Sequence, residues 1–420
     1  MRQSSDNDEH APSPENPKSK IQNLKSHLPR TVVILGLVSL FNDAAGEIVY
    51  PLLPLFLTDT LGASKTFVGL VEGLAESVSS LLKLPAGWYS DRLKKRKGIV
   101  LLGYSIASLI RPLLALATAS WQVLALRFTD RLGKGLRSAP RDAMIADAAP
   151  AESRGLAFGF HRAMDHGGAI VGALVAAWLV GIFHSDYRRI FWMAAIPGLV
   201  TLLILIFLVK EPPRNAPLAK STASWSLNLS GFHPQFKYFL SILLLFMLSN
   251  SSDAFLLLRA NECGVSAAMI PLLWALLHVS KALSSIVGGG LSDRFGRRTV
   301  ILIGWLLYAL IYVGFALASS SVLVWILFAV YGIYFGFTEG VEKAMVADLV
   351  APEKRGTAFG FYNLVIGLGA LPASLLLGFL WQRYSAEFAL MTSAVISLLA
   401  TVLFAFFITE RRPEIEKASE

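Results

Sequence analysis

The chain has 420 residues, of which 54% are hydrophobic and 16% are charged, and its mean hydropathy is +0.56. Soluble globular proteins average about 45–50% apolar and about 25% charged residues, so this composition excludes an ordinary water-soluble enzyme. The single cysteine, Cys263, excludes an internal disulfide and a thiolate metal cluster. The formal net charge of +9 would suit a nucleic-acid-binding protein, but the positions of the basic residues favour a membrane protein.

Residues 1–30 are polar and lack an apolar central run, so we expect a disordered cytoplasmic tail and no signal peptide. Twelve apolar runs follow, each long enough for the roughly 20 residues of a membrane helix. They lie near 31–58, 66–90, 98–118, 120–147, 153–183, 188–210, 236–261, 266–292, 299–318, 321–347, 354–381 and 386–409. We therefore predict an all-α membrane protein with six-helix bundles at 31–210 and 236–409, a cytoplasmic linker at 211–235 and a polar tail at 410–420.

Basic residues concentrate in alternate connections between the spans. Five of the six residues at 92–97 are basic, and Arg294, Arg297 and Arg298 follow the eighth span, whereas the connections near 60–65, 119 and 319 carry almost none. The positive-inside rule then places both termini in the cytoplasm. Membrane orientation therefore explains the net charge, and we expect no nucleic-acid partner.

The two predicted bundles share a sequence repeat. Met144-Ile-Ala-Asp147 returns as Met345-Val-Ala-Asp348, a shift of 345 − 144 = 201 residues, and Ser90-Asp91-Arg92 returns as Ser292-Asp293-Arg294. Such a repeat predicts two pseudo-symmetric halves in the same orientation. Parallel repeats of this kind place a substrate site between the halves, near the middle of the membrane.

A glycine, an aspartate and basic residues recur in the connections after spans two and eight. Glycine allows two helices to approach closely, the aspartate can cap a facing helix, and the arginines can face lipid headgroups or carboxylates. The two copies comprise Gly87, Asp91 and Arg92 in the first half, and Gly289, Asp293, Arg294 and Arg297 in the second. With the twelve spans and the repeat, this pattern resembles the major facilitator superfamily, although Lys94 replaces a glycine of the family's signature in the first copy.

The resemblance implies a bacterial-type twelve-span permease of the plasma (bacterial inner) membrane that functions as a monomer. It also implies a role for Arg127, which lies where antiporters of the family carry a fourth-span arginine linked to proton coupling. Arg131 occupies the glycine position that usually follows. The family's fifth-span antiporter motif is half present, because Gly168 and Gly172 are there but Ala173 replaces the proline.

Span four separates apolar from ionisable residues around its axis. At 100° per residue, Phe128, Leu132 and Leu136 lie at about 40–120° from Leu124. The opposite sector, at about 220–300°, contains Arg127, Asp130, Lys134, Arg137 and Arg141. Each charge at the centre of a bilayer costs about 2.5–3.5 kcal/mol, so this sector must line a wet cavity or pair with charges on neighbouring spans.

Other polar residues within the spans are predicted to share that cavity. The full predicted set that binds substrate or protons comprises Asp43, Glu47, Glu76, Arg127, Asp130, Arg131, Lys134, His161, Asp165, Asp253, His278 and Tyr331. The alternative is that such ions pair with one another and hold the bundle together, which applies most to Glu72, Lys83, Arg162 and Lys281. Either a histidine or a buried carboxylate could carry a proton.

A second cluster lies at the predicted cytoplasmic ends of the spans. Arg141-Asp142 becomes Glu342-Lys343 at the 201-residue shift, so the order of charges is reversed. We expect opposed pairs between the halves, Arg141 with Glu342 in particular, to close the cytoplasmic face when the outside is open. The other members of this predicted gate are Asp147, Arg154, Asp348 and Arg355.

The leading functional hypothesis is a secondary active transporter that works by alternating access. The sequence contains no nucleotide-binding loop, so the expected energy source is a proton gradient, with no cofactor and no metal. We expect proton-coupled efflux (antiport) of a small polar or charged organic solute, and the near alternative is a proton-coupled symporter that imports a metabolite. A membrane enzyme is not expected, because His161 and His166 are spaced poorly for one helix face, and a receptor would not need charges buried in both halves.

Overall fold

The computed structural model of the chain describes residues 28–92, 95–149, 154–211, 229–350 and 354–409. Within these ranges the regular structure is entirely helical. The first half contains α1 (Arg30–Thr60), α2 (Lys65–Arg92), α3 (Lys97–Leu116), α4 (Ser120–Ala148), α5 (Arg154–Phe183) and α6 (Tyr187–Leu208). The second half contains α7 (Pro234–Glu262), α8 (Ile270–Phe295), α9 (Arg297–Leu317), α10 (Ser321–Asp348), α11 (Arg355–Arg383) and α12 (Ala386–Phe407).

Ten of these helices are long and apolar enough to cross a membrane, judged by length and composition over the described residues. The other two, α2 and α4, are 28 and 29 residues long but contain no stretch that is both sufficiently apolar and sufficiently low in charge. All twelve predicted ranges coincide with helices. That α2 and α4 also cross the membrane stays a prediction. Apolar side chains such as Trp121, Phe207 and Phe406 are exposed on the outer surface, as expected of a surface that faces lipid.

The 201-residue repeat recurs in the helix packing. A Cβ atom on Gly135 of α4 would lie 2.6 Å from Leu82 of α2, and one on Gly336 of α10 would lie 2.4 Å from Ser284 of α8. Gly336 follows Gly135 by 201 residues, so the same helix pair meets at the same glycine in each half. Glycine is required at these positions because any side chain would separate the helices.

The two halves meet most closely along α2 and α11, which run antiparallel. A Cβ on Gly69 would lie 2.2 Å from the Ser374 carbonyl oxygen, and the Ser77 hydroxyl donates to the Gly367 carbonyl oxygen at 2.6 Å. We call the side on which α1 begins and α12 ends the terminal face, and the other side the opposite face. These contacts lie in the part of α2 nearer the opposite face, so the halves are packed together there.

Helix α7 is interrupted at residues 250–253. Its first part is Pro234–Ser249 and its second is Ala254–Glu262. Asn250, Ser251, Ser252 and Asp253 line a cavity, which agrees with the rule that irregular backbone at membrane depth is tolerated where it borders a cavity or is buried in protein.

Candidate functional site

Two adjoining cavities lie between the halves. The larger, of about 680 Å³, extends from the middle of the bundle toward the terminal face. The smaller, of about 380 Å³, lies between the first two helices and α7, α8 and α11. Glu47, Tyr50, Arg131 and Lys134 line both. Both volumes fall in the range of sites for small molecules, about 300–1,000 Å³.

A buried network of ion pairs forms one wall of the larger cavity. Arg127 donates to both carboxylate oxygens of Glu72, with Nη2 at 3.0 and 2.8 Å. Arg111 Nε donates to Asp130 Oδ1 at 3.1 Å, and Arg111 Nη1 donates to the carbonyl oxygen of Asn42 at 2.5 Å. Asp130 Oδ2 is also 3.7 Å from Arg127 Nη1, so this carboxylate compensates two arginines on different helices.

The acidic side chains of α1 border the same space. Asp43 accepts a hydrogen bond from the Asn42 side-chain amide at 2.7 Å. Glu47 Oε2 accepts one from the indole N–H of Trp274 on α8, also at 2.7 Å. Because α1 and α8 belong to different halves, the Glu47–Trp274 hydrogen bond joins the halves through a carboxylate at the cavity wall.

In the second half, Asp253 at the α7 interruption is the central acidic group. Tyr331 donates a hydrogen bond to Asp253 Oδ1 at 2.7 Å, and Lys281 Nζ is 3.8 Å from Oδ2. Tyr331 is fully buried among other tyrosines and lines neither cavity. The prediction that Tyr331 lines the cavity is therefore wrong, because the ring lies behind Asp253 and holds that carboxylate in place.

The predicted histidines have different surroundings. His161 is buried, with Nε2 2.8 Å from the Ser39 hydroxyl and Nδ1 3.5 Å from Asp165, and it lines neither cavity. The prediction that His161 lines the cavity is wrong, because α5 turns it toward α1. His278 does line the larger cavity, and neither of its buried ring nitrogens has a hydrogen-bond partner among the described residues.

The remaining predicted cavity residues are placed as expected. Asp43, Glu47, Arg127, Asp130, Arg131, Lys134 and Asp165 line the larger cavity with His278. Glu76 and Asp253 line the smaller one. Their roles in binding stay a prediction.

Matching ion pairs close the terminal ends of both halves. Arg96 at the start of α3 pairs with Asp147 near the end of α4, and Arg297 pairs with Asp348 at 3.5 Å in the second half. Both residues of the second pair follow those of the first by 201 positions. Asp147, Arg297 and Asp348 therefore form contacts within a half.

The predicted pair between Arg141 and Glu342 is not formed in this conformation. Arg141 donates to Asp142 at 2.8 Å, and Glu342 is buried, where it accepts hydrogen bonds from an indole N–H and a phenol of its own half. Arg162 of α5 and Glu339 of α10 form an ion pair between the halves on this side. The prediction concerns the state in which this face is closed, whereas here the larger cavity separates the halves on this side, so the Arg141–Glu342 pair stays a prediction.

The signature residues are described only in part. Gly87 packs against α4, since a Cβ there would lie 3.3 Å from Ala139, and Arg294 is exposed above the Phe295 ring. The side chains of Asp91, Arg92, Arg154, Asp293 and Arg355, together with Gly289, lie outside the described residues. So do the predicted tails at 1–27 and 410–420 and linker residues 212–228.

Sequence reasoning missed three contributors to the site. Arg111 is the only charged residue in the predicted span 98–118, and a lone arginine in an apolar run is a signal that could have found it. Trp274 and Tyr50 gave no such signal, because aromatic residues are common in membrane helices and only the packing places them at a cavity.

Comparisons with known proteins agree with this architecture. The family model described as Major Facilitator Superfamily matches residues 35–277 and 238–420. A protein of Methanocaldococcus jannaschii described as an uncharacterized MFS-type transporter is 36% identical over 385 residues, covering 90% of this chain and 95% of that protein. The multidrug resistance protein MdtH of Salmonella arizonae is 23% identical over 335 residues, covering 77% of this chain and 79% of that protein.

Solved structures share the fold. A bacterial homolog of the human lysosomal transporter Spinster, in an inward-facing and occupied conformation, has a TM-score of 0.75 and 17% sequence identity. The similarity covers 90% of this chain and 96% of that chain. At this level of identity the likeness concerns the fold alone.

Proposed function

The chain belongs to the Major Facilitator Superfamily and is a multi-pass membrane transporter, and from this premise we propose that it exports a small polar or charged organic solute in exchange for protons. The observation that carries the proposal is the pair of cavities between the halves, lined by buried ions. Ionised side chains are costly in free energy when they face lipid, so ions within a membrane protein are expected to line a water-filled cavity or to pair with one another.

Alternating access is supported by the asymmetry of the contacts between the halves. On the side of the opposite face, α2 and α11 touch through glycine and serine with almost no space between them. On the side of the terminal face, the larger cavity separates the halves, and Arg162–Glu339 joins them there. A transporter of this design needs one such closed side at a time, with the halves rocking about the central site.

Proton coupling is supported by the position of Glu47. Its carboxylate borders both cavities and accepts a hydrogen bond from Trp274 in the other half. Hydrogen bonds to an ionised carboxylate are stronger than those to a neutral one, so protonation of Glu47 would weaken a contact between the halves. A proton taken up at this position would thus change the balance between conformations.

Efflux is supported by the similarity to a multidrug resistance protein, and by the resemblance that links Arg127 to proton antiport. With both termini in the cytoplasm of a bacterial cell, the larger cavity would open toward the cytoplasm, where an exported solute binds. The proposal therefore includes the bacterial inner membrane as the location.

The test uses the purified full chain in proteoliposomes with a trapped pH indicator and a panel of candidate solutes. Antiport predicts that solute and protons move in opposite directions across the membrane. Glu47→Gln is expected to abolish the proton movement, whereas Asp186→Asn, a change at an exposed aspartate outside both cavities, is expected to preserve it. Movement of solute and protons in the same direction would instead establish the importing symporter, and absence of flux for every solute would contradict transport of this kind.

A further inference from the structure

Arg131 and Lys134 lie one turn apart on α4, at the junction of the two cavities. Arg131 Nε is 3.9 Å from Asp130 Oδ2, too long for a hydrogen bond, and this buried atom has no hydrogen-bond partner among the described residues. Lys134 has no described carboxylate oxygen within the 4.0 Å of an ion pair. At the centre of the site, Arg131 therefore has one long ion pair without a hydrogen bond, and Lys134 has no ion pair among the described residues.

Two other cations of the larger cavity have closer partners. Arg127 is held by Glu72 and Arg111 by Asp130. Glu47, which also borders the junction, is engaged by Trp274 of the other half. The carboxylates left near the junction are Asp130, 3.9 Å from Arg131 Nε, and Glu76, which lines the smaller cavity with both cations. Asp130 is already shared with Arg111, and Glu76 accepts a hydrogen bond from Ser80.

The charge balance of the larger cavity has the same sign. Nine lysine or arginine side chains line it, against six aspartates or glutamates. Burying charge without a partner is costly, and an anion that enters the cavity would supply the missing partner. Arginine binds carboxylate and phosphate oxygens through a planar fork, and lysine binds them as a compact point charge.

Beyond the junction, apolar side chains contribute to the second-half wall of the smaller cavity, namely Met247, Trp274, Phe335 and Ile366. Asp253 and Lys281 line the same side, and Lys281 Nζ lies 3.4 Å from the centroid of the Phe335 ring. The Trp274 indole also packs against Tyr50, with ring centroids 5.1 Å apart and planes tilted by 43°, so aromatic surface lies next to the two cations. A ligand with an anionic end at the junction could place an apolar end against this wall.

We propose that Arg131 and Lys134 form the anion-binding subsite of the transported solute, which is an organic anion with a carboxylate or phosphoryl group and an apolar part that lies against Trp274 and Phe335. This inference rests on the proposed transport function and adds the substrate class. The cations bind the charged oxygens, and the aromatic wall of the smaller cavity selects for a ring or an alkyl chain.

The experiment measures binding to the purified full chain in detergent by isothermal titration. The probes are phenylacetate and phenyl phosphate, with phenethylamine as the cation that carries the same ring. We expect saturable binding of at least one anion and much weaker binding of the amine. The preferred anion identifies whether the group recognised is a carboxylate or a phosphoryl.

Variants then assign the subsite. Arg131→Gln and Lys134→Gln are each expected to weaken anion binding about tenfold or more, the factor that corresponds to roughly 1.4 kcal/mol. Lys343→Gln removes the same charge from the larger cavity only and is expected to change binding less than about twofold, a fraction of that tenfold factor. Arg131→Lys retains the positive charge and is expected to bind the anion more tightly than Arg131→Gln, which separates loss of charge from a folding defect.

Three outcomes would overturn the anion subsite: tighter binding of phenethylamine than of either anion, no saturable binding of either anion, or wild-type anion affinity in both glutamine variants. Flux in proteoliposomes separates this inference from the proposed function. Transport of cationic or neutral solutes without anion binding would remove the subsite and keep the transporter. Anion binding that depends on Arg131 and Lys134, without flux of any solute, would keep the anion subsite and contradict the transport function.

Discussion

The Arg127–Glu72 pair offers a direct test of how the buried ions stabilise the bundle. Both side chains are less than 10% exposed, and two of the hydrogen bonds between them are 3.0 Å or shorter. Removal of one partner from a buried ion pair costs about 3–5 kcal/mol, because the other charge remains buried without compensation. The substitutions Glu72→Gln and Arg127→Gln each remove one partner of this pair.

The structure predicts that the two substitutions differ in cost. In Glu72→Gln, Arg127 keeps Asp130 at 3.7 Å, so we expect the lower end of the range, about 3 kcal/mol. In Arg127→Gln, no other described cation lies within 4.0 Å of Glu72, so we expect the upper end, about 5 kcal/mol. The double variant buries neither charge and should cost less than Arg127→Gln alone.

The assay is denaturant unfolding of the purified chain in mixed micelles, followed by tryptophan fluorescence. The matched control is Arg189→Gln, which removes a pair of similar length, 3.0 Å to Asp186, whose arginine is 70% exposed. Exposed pairs contribute about 0–1 kcal/mol. If Glu72→Gln costs no more than Arg189→Gln, the reasoning that burial makes this pair structural is refuted.

Three further predictions concern contacts between helices and one thiol. Gly69→Ala should prevent closure at the opposite face and abolish flux, because its Cβ would lie 2.2 Å from a carbonyl oxygen of α11. The control Gly159→Ala should leave flux unchanged, because the space around its Cβ is open. Trp274→Phe removes the donor to Glu47 and should lower the free energy of unfolding by about 1.5–3 kcal/mol; a change below about 0.5 kcal/mol would show that the hydrogen bond contributes nothing beyond a typical surface substitution. Burial raises the pKa of the Cys263 thiol, so a smaller fraction is thiolate at neutral pH. Alkylation by iodoacetamide should therefore be slower than that of free cysteine, and its rate should keep rising above pH 8.5, roughly the pKa of free cysteine. Equal rates for Cys263 and free cysteine would contradict this.

Helix positions could be predicted from the sequence because each helix is a run of mainly apolar residues bounded by polar ones. The predicted span 120–147 became Ser120–Ala148, and 66–90 became Lys65–Arg92. The interruption of α7 was missed, although Asn250-Ser-Ser-Asp253 is a run of turn-forming residues. Average hydropathy over the span concealed it, because the flanking residues on both sides are strongly apolar.

The charged sector of α4 could also be predicted, because the period of 3.6 residues fixes which residues share a face. The partners of those residues could not be predicted, since they depend on how neighbouring helices are rotated. The resemblance to the family suggested a coupling role for Arg127, but its pairing with Glu72 became visible only in the structure. The partners of Glu342 in this conformation, Trp305 and Tyr362, could not be predicted for the same reason, because a repeat in sequence does not say whether a side chain faces the other half or its own.

The two helices that fail a composition test for membrane crossing, α2 and α4, are those that carry most of the ion network. Each charge on α4 would cost about 2.5–3.5 kcal/mol at the bilayer centre, so α4 gains stability in the membrane only once its partners are present. Helix α3 supplies one such partner, because Arg111 of α3 pairs with Asp130. The two helices approach so tightly that a Cβ on Gly103 would lie 2.6 Å from the Gly133 carbonyl oxygen. A helix whose charged residues conflict with its position in the membrane is expected where a functional site has to be polar. In this chain, that conflict locates the site along α4.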